Sequence, residues 1–187
     1  NSSDVTKFTE NFSLTEIVAK LLSIRKKNID DIALFLDPKI KNLLPNPLHL
    51  KDMKSAIERT YKSIIKSELI GIFGDYDVDG ATSAALLKLF LQYFGIEVHI
   101  HIPDRFLEGY GPNISALKSL ISKGSNLIIT VDCGINSHEP LKELNKENID
   151  CIIIDHHPSD DDLPPAFSIV NPKRKENRIE FHYLSAV

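Results

Sequence analysis

The feature that most constrains this chain is a short apolar run that ends in three aspartates. Residues 69–73 have the bulk and brevity of a buried strand, and residues 81–94 repeat apolar side chains with a helical period. Asp75, Asp77 and Asp79 therefore lie on a strand-to-helix turn. Three carboxylates this close repel one another unless a cation lies among them, so the turn predicts a divalent metal site. Helix capping alone would explain one or two of these aspartates.

Two later stretches place similar groups at the ends of other strand-like runs. Asp132 ends the apolar run in LIITVDCG, and the sequence DHHP, at residues 155–158, follows the run CIII. Because the carboxyl ends of parallel strands lie along one edge of a sheet, these groups are expected to converge in one crevice. Carboxylates with imidazole are the ligand set of Mn²⁺, Fe²⁺ or Zn²⁺, whereas Mg²⁺ sites are more often all oxygen. Adjacent histidines without the aspartates would equally fit a solvent-exposed turn.

Strand-like and helix-like segments alternate through the rest of the chain. After a mostly helical first part, the pattern predicts strands at 69–73, 97–102, 127–131, 151–154 and 167–170, with helices at 81–94, 113–123 and 137–145. Alternation with short connections predicts an α/β fold with a doubly wound, mostly parallel five-stranded sheet. We expect residues 1–50 to form a small helical segment and connector, and residues 51–187 to form the sheet domain. Ser13 and Glu16 resemble a capping box that opens a helix over residues 14–25.

Composition sets broader bounds on the function. A net charge of −4 does not favour a nucleic-acid binder, although an acidic metal crevice would hide a local basic track in that sum. The two cysteines lie on or beside predicted buried strands, which fits a reduced, cytoplasmic setting. No apolar run of about 18 residues and no signal sequence is visible, so neither a membrane span nor secretion is predicted.

DYDVDG, VDCGI and DHHP, in this order and spacing, resemble the first three motifs of the DHH phosphoesterase superfamily. PLHLKDMKSAIER, PDRFLEGYG, LIITVDCGI and IVNPKR are also similar to its bacterial members that degrade single-stranded DNA from the 5′ end. The resemblance runs from about residue 13 to the last residue, and the later motifs of the family are absent. It implies that the sheet domain is a DHH catalytic domain truncated at its C-terminal end.

The resemblance implies a ligand set for two ions, either Mn²⁺ or Mg²⁺. In the family, the residues matching Asp77, Asp79, Asp132 and His156 coordinate the metals, with Asp132 in the place of a bridging ligand. Two ions about 4 Å apart clamp a phosphate and lower the pKa of a bound water. Asp75 stands where many members have histidine and the exonucleases have aspartate, so it either binds a metal or hydrogen-bonds a ligand.

The remaining groups of the DHH motif are expected beside the metals. The resemblance places the second histidine, His157, at the metal–phosphate site, as a ligand or as a phosphate contact. Asp155 would orient His156 by accepting the second ring N–H of that histidine. Asp75, Asp155 and His157 are therefore predicted as catalytic residues.

The loop PDRFLEGYG is predicted to contact the substrate. Arg105 offers bidentate phosphate contacts and Tyr110 offers a stacking face, while Gly109 and Gly111 allow a nucleic-acid strand to approach the backbone. The alternative is a simple turn with a packed ring. By resemblance, the ligand of this loop is the 5′ end or the nucleotides behind it.

The function that the resemblance implies is metal-dependent 5′→3′ exonuclease activity on single-stranded DNA in recombination and repair. A single-stranded-DNA-binding protein and a helicase are the expected protein partners. The alternatives are a DHH phosphoesterase acting on oligonucleotides or on small nucleotides, cyclic ones included, and a replication scaffold that has lost catalysis. Intact motifs favour an enzyme, and the helical first part and the EGYG loop favour the exonuclease. Because the family has a further metal-binding aspartate beyond the position of Val187, this chain alone is expected to bind metal weakly and without turnover.

Overall fold

A computed structural model describes residues 2–25, 28–177 and 184–186 of the chain. The chain divides into two compact units, residues 1–46 and 47–187. The first unit is helical, as the sequence predicts, and contains α1 (Ser2–Phe12), α2 (Glu16–Ile24), α3 (Ile29–Leu36) and α4 (Ile40–Leu43). Its small buried core consists of Phe8, Ala19, Leu22 and Ile32.

The predicted capping box at the start of α2 is wrong. The N-cap is Thr15, whose side chain makes no capping hydrogen bond. Ser13 has a left-handed backbone with φ of 51°. Its side chain therefore lies too early in the chain to cap a helix that begins at Glu16.

The second unit is a three-layer α/β domain. Its strands are β1 (Ile70–Gly74), β2 (Val98–His101), β3 (Leu127–Val131), β4 (Asp150–Ile154) and β5 (Ser168–Val170). Its helices are a 3₁₀ turn (Pro47–His49), α5 (Met53–Ile65), α6 (Val78–Tyr93), α7 (Ile114–Ser122) and α8 (His138–Lys146). The strand order is β2-β1-β3-β4-β5, and every pairing is parallel. The predicted five-stranded doubly wound sheet is confirmed, and it is parallel throughout.

Helices cover both faces of the sheet because successive strand side chains point in opposite directions. On one face Ile72 packs in a core with Ala56 of α5 and Leu91 of α6. On the other, Ile128 packs in a core with Leu141 of α8. All residues of β1 and β3 are buried, as expected for central strands of a parallel sheet.

The order of the strands fixes the place of a binding crevice. The chain leaves β1 to form β2 on one side and then crosses to β3 on the other side. The connections therefore diverge between the carboxyl ends of β1 and β3, which is where ligands bind in open parallel sheets.

A close backbone contact brings the start of α6 to this point. The helix begins at Val78, three residues earlier than predicted, because the Asp77 carboxylate accepts a 3.0 Å hydrogen bond from the Gly80 N–H and caps it. A Cβ atom at Gly80 would lie 2.4 Å from the Asp75 carbonyl oxygen. Glycine is therefore required for α6 to start so close to the end of β1. None of the helices in the described part of the chain has the length and apolar character needed to cross a membrane.

Candidate metal centre

Carboxylate and imidazole groups converge beyond the carboxyl ends of β1, β3 and β4. One group of ligand atoms comes from Asp75, Asp77 and Asp132, and a second comes from Asp132, His156 and His157. Within each group the ligand atoms lie within 4.8 Å of one another. Asp132 belongs to both groups and thus occupies the position of a shared ligand.

Asp132 is buried and has a left-handed backbone. It is 0% exposed and has φ of 62°, a left-handed conformation that is uncommon for residues other than glycine, asparagine and aspartate. Neither carboxylate oxygen has a hydrogen-bond partner among the described residues. The Nε2 atom of His156 lies 3.1 Å from Oδ1 of Asp132, without hydrogen-bond geometry. A buried carboxylate with both oxygens unpaired is costly on its own and fits a bound cation.

Burial and mutual repulsion perturb the carboxylates of the first group. Burial raises the pKa of Asp132 to about 7, and the neighbouring Asp77 carboxylate adds to the increase. Burial also raises the pKa of Asp75, whose Oδ1 atom has no hydrogen-bond partner among the described residues. The pKa of Asp77 is lowered because it accepts the Gly80 N–H. The pKa values of Asp75 and Asp132 are therefore raised even though the charge of His157 acts to lower both.

Asp155 organises the histidine pair differently from the prediction. Its Oδ1 atom accepts hydrogen bonds from the backbone N–H groups of His156 and His157 at 2.7 and 3.1 Å, and lies 2.8 Å from Nδ1 of His157. Its Oδ2 atom accepts the N–H of Ile135 at 3.0 Å. The expectation that Asp155 orients the ring of His156 is corrected: it orients His157, because the two-residue offset lets that ring fold back onto the carboxylate. A donating Nδ1 leaves Nε2 of His157 as the acceptor of the ring.

Asp79 is a predicted metal ligand that lies outside both groups of ligand atoms. It lies half-buried in the first turn of α6 and belongs to neither group of ligand atoms. Its backbone carbonyl accepts the hydroxyl of Ser83 at 2.6 Å. The metal-binding role of Asp79 stays a prediction, whereas Asp75 and His157, predicted as catalytic, lie within the two groups.

The loop after β2 places Tyr110, one of the predicted substrate contacts, beside the metal centre. The hydroxyl of Tyr110 lies 3.1 Å from Nδ1 of His157 and 3.4 Å from the carbonyl oxygen of Asp132. Gly109 and Gly111 flank it with φ of 79° and 78°. Beside them lies a cavity of about 360 Å³ lined by Tyr110, His157 and the turn before α8.

Arg105 lies earlier in the same loop and contacts an aromatic ring. Its guanidinium carbon is 5.4 Å from the centroid of the Tyr76 ring. Tyr76 was not among the predicted site residues. The sequence could have indicated Tyr76, because it lies between Asp75 and Asp77 on the turn that follows β1.

Residues 69–187 match the family described as DHH family, N-terminal domain. The chain is 40% identical over 184 residues to the single-stranded-DNA-specific exonuclease RecJ of Bacillus subtilis, covering 98% of this chain and 23% of that protein. It is 38% identical over 138 residues to the protein of the same name from Haemophilus influenzae, covering 73% of this chain and 24% of that protein. The chain therefore spans about a quarter of the length of the curated relatives it matches.

Solved structures show the same fold. An exonuclease RecJ bound to manganese matches with a TM-score of 0.66 and 34% identity, covering 73% of this chain and 35% of that one. RecJ in complex with Mn²⁺ from Thermus thermophilus matches with a TM-score of 0.74 and 26% identity, covering 96% of this chain and 25% of that one.

Proposed function

Because this chain belongs to the DHH family, we propose that it carries the metal-binding centre of a hydrolase that degrades single-stranded DNA from the 5′ end, in recombination and repair. The observation that carries the proposal is Asp132, a buried carboxylate that two groups of ligand atoms share and that has no hydrogen-bond partner among the described residues. The relatives named RecJ are single-stranded-DNA-specific exonucleases, and two of the matching structures are manganese complexes. We assign the same substrate class and metal to this chain.

The residues present fit two divalent ions. Asp75, Asp77 and Asp132 would hold one ion, and Asp132, His156 and His157 would hold the other. When bound, two such ions stabilise charge on a phosphate and lower the pKa of a water molecule. The mixed set of carboxylates and imidazoles favours Mn²⁺ over Mg²⁺, while the all-carboxylate group suits either ion.

The protein groups around the ions have separate tasks. Asp155 fixes the ring of His157 through its 2.8 Å contact, and so directs Nε2 away from the carboxylate. Tyr110 presents its hydroxyl to His157 and its ring to the adjacent cavity, where a base or sugar can stack. Arg105 is placed by the ring of Tyr76 and offers its guanidinium to a backbone phosphate.

We further propose the cytoplasm as the compartment, with a single-stranded-DNA-binding protein and a helicase as partners. Cys133 and Cys151 are both free and buried, which supports a reducing compartment. The partners rest on the resemblance to the exonucleases.

The direct test is nucleotide release from single-stranded oligonucleotides labelled at one end or the other, with Mn²⁺ added or removed. We expect release from the 5′ end that requires the metal and is far slower on duplex DNA. Hydrolysis restricted to dinucleotides or cyclic nucleotides would instead identify a small-nucleotide phosphoesterase. Mn²⁺ binding without hydrolysis of any of these substrates, both by this chain and by a version extended past Val187, would favour the scaffold.

A further inference from the structure

Glu108 is a carboxylate outside the metal centre whose two oxygens are both engaged. Its Oε2 atom lies 2.8 Å from Nε2 of His101 and accepts a 2.9 Å hydrogen bond from the side-chain amide of Asn113. Its Oε1 atom accepts the backbone N–H of Asp104 at 2.9 Å. These contacts, led by the N–H of Asp104 and the amide of Asn113, lower the pKa of Glu108 to about 2.

These partners belong to three different parts of the fold. His101 ends β2, and its ring stacks on the buried Phe73 of β1 at a centroid distance of 5.3 Å. Asp104 begins the loop, where its carbonyl oxygen accepts the N–H of Glu108 at 2.8 Å. Asn113 caps α7 through a 2.8 Å hydrogen bond from the N–H of Ala116. Glu108 therefore links the end of an edge strand, the start of the loop and the N-cap of the next helix.

The same loop carries the two side chains assigned to the substrate. Arg105 lies inside the turn that the hydrogen bond between Asp104 and Glu108 closes. Tyr110 follows after a single glycine and lies between Gly109 and Gly111, both with positive φ. Glycine permits many backbone conformations, and a Cβ atom at Gly109 would meet no atom within 4 Å. The two glycines therefore contribute no side-chain contact that would hold the backbone around Tyr110.

We propose that Glu108, held by His101 and Asn113, is a positioning residue that fixes Arg105 and Tyr110 at the metal centre. Its role is to set the affinity for the single-stranded substrate rather than the rate of the chemical step. This inference rests on the proposed function, because the ligand of the loop is taken to be a nucleic-acid strand. Glu108 itself belongs to neither group of metal-ligand atoms.

The first test compares Glu108→Ala with Glu97→Ala. Glu97 is the matched control because it also pairs with a histidine of β2, His99, at 3.6 Å, but precedes the strand at its opposite end. In Glu108→Ala we expect the KM for Mn²⁺-dependent release to rise about tenfold, with kcat within about twofold of the wild type. The affinity for Mn²⁺ should be unchanged, and Glu97→Ala should behave as the wild type throughout.

A mutant cycle with three substitutions shows whether Glu108 acts through the two substrate residues. In a protein that already carries Arg105→Ala and Tyr110→Ala, adding Glu108→Ala should raise KM by less than about twofold, because the residues it positions are gone. A full, additive tenfold increase in that background would contradict the proposal. A fall in kcat with unchanged KM, or a weaker affinity for Mn²⁺, would also contradict it.

Hydrogen–deuterium exchange measures the loop without relying on activity. We expect the backbone amides of residues 104–111 to exchange about tenfold faster in Glu108→Ala than in the wild type or Glu97→Ala, with the rest of the domain unchanged. Unchanged exchange in this segment would overturn the positioning role. If neither this chain nor a version extended past Val187 releases nucleotide from any oligonucleotide, the proposed function fails, and the exchange comparison still decides whether Glu108 holds the loop.

Discussion

The two edges of the sheet, which lie at the amino ends and the carboxyl ends of its strands, differ in how buried charge is compensated. At the amino-terminal edge, Arg59 is 8% exposed, and its guanidinium lies 2.5 Å from Asp150 and 2.8 Å from Glu68. It also donates a 2.6 Å hydrogen bond to Ser63. At the carboxyl-terminal edge, Asp132 is 0% exposed, and neither of its oxygens has a hydrogen-bond partner among the described residues. One edge is internally compensated, whereas the other fits a cation from outside.

The pKa directions follow the same division. Burial lowers the pKa of Arg59, but hydrogen bonds with Asp150 and Glu68 outweigh burial and raise it above its usual value. Burial raises the pKa of Asp132 to about 7, and the next contribution, from Asp77, acts in the same direction. The first edge therefore stabilises the fold, and the second retains electrostatic repulsion that a ligand can relieve.

The largest expected effect comes from Asp132→Asn. Nucleotide release with Mn²⁺ should fall by about a thousandfold or more, because the shared ligand loses its charge. Without metal, the free energy of unfolding should rise by about 1 kcal/mol, since a buried unpaired charge is removed. Asparagine also tolerates the left-handed backbone at this position. End-labelled oligonucleotides and urea unfolding measure the two effects.

Asp162→Asn is the control for the preceding change, because it removes an exposed carboxylate from a loop. It should alter neither release nor unfolding. A metal-free Asp132→Asn protein that is clearly less stable than the wild type would show that the carboxylate stabilises the fold, and would remove the contrast between the two edges.

Arg59→Met should have the opposite signature. Removing the guanidinium leaves the carboxylates of Glu68 and Asp150 without their partner, so the free energy of unfolding should fall by about 3 kcal/mol. The affinity of the folded protein for Mn²⁺ should not change, because the cluster lies at the other end of the strands. Arg59→Lys should recover part of the stability, since it restores the charge without the planar fork. A change in Mn²⁺ affinity in Arg59→Met would show that the edges are coupled.

Gly80→Ala tests how closely α6 must approach β1. A Cβ atom there would lie 2.4 Å from the carbonyl oxygen and 2.6 Å from the nitrogen of Asp75, so the helix must shift. We expect a loss of about 2 kcal/mol in stability, together with weaker Mn²⁺ binding as Asp75 and Asp77 move. Gly95→Ala, at the other end of α6, meets no atom within 4 Å and has φ of 75°. It should cost about 1 kcal/mol through backbone strain and leave Mn²⁺ binding unchanged.

The smallest expected effect concerns Glu108, a compensated charge at the carboxyl-terminal edge. Its pKa is lowered from 4.5 to about 2, so its stabilising contribution is complete above pH 4.5 and is lost as the pH falls toward 2. The difference in unfolding free energy between the wild type and Glu108→Ala should be about 1 kcal/mol at neutral pH and shrink below pH 4.5. Urea unfolding at several pH values measures it. A difference that grows on acidification would contradict the pairing.

Much of this architecture could be predicted because it depends on local periodicity and one topological rule. Apolar runs located the strands, and the rule that parallel strands end at one edge was enough to bring Asp75 and Asp132 together. The early start of α6 was missed because it depends on a side-chain cap and a glycine contact. The Arg59 cluster was missed as well, because its carboxylates come from distant parts of the chain and carry no shared sequence pattern.

The roles of individual residues in the metal centre were harder to predict than which residues belong to it. Whether Asp155 holds His156 or His157 depends on the direction in which each ring leaves the turn after β4, and the motif DHH does not contain that information. The separation of Asp79 from the other carboxylates likewise follows from its place inside the first turn of α6. The spacing of residues in the sequence predicts which of them meet at one edge of the sheet. The direction of each side chain can be determined only when the backbone conformation is known.

The most direct test of the shared role of Asp132 is calorimetric titration of the metal-free protein with Mn²⁺. The account predicts that the wild type binds two ions, that Asp77→Asn and His156→Asn each weaken one of them, and that Asp132→Asn weakens both. If Asp132→Asn lost only one ion, or bound both as tightly as the wild type, the buried carboxylate would not be the shared ligand and the proposed two-ion centre would be wrong.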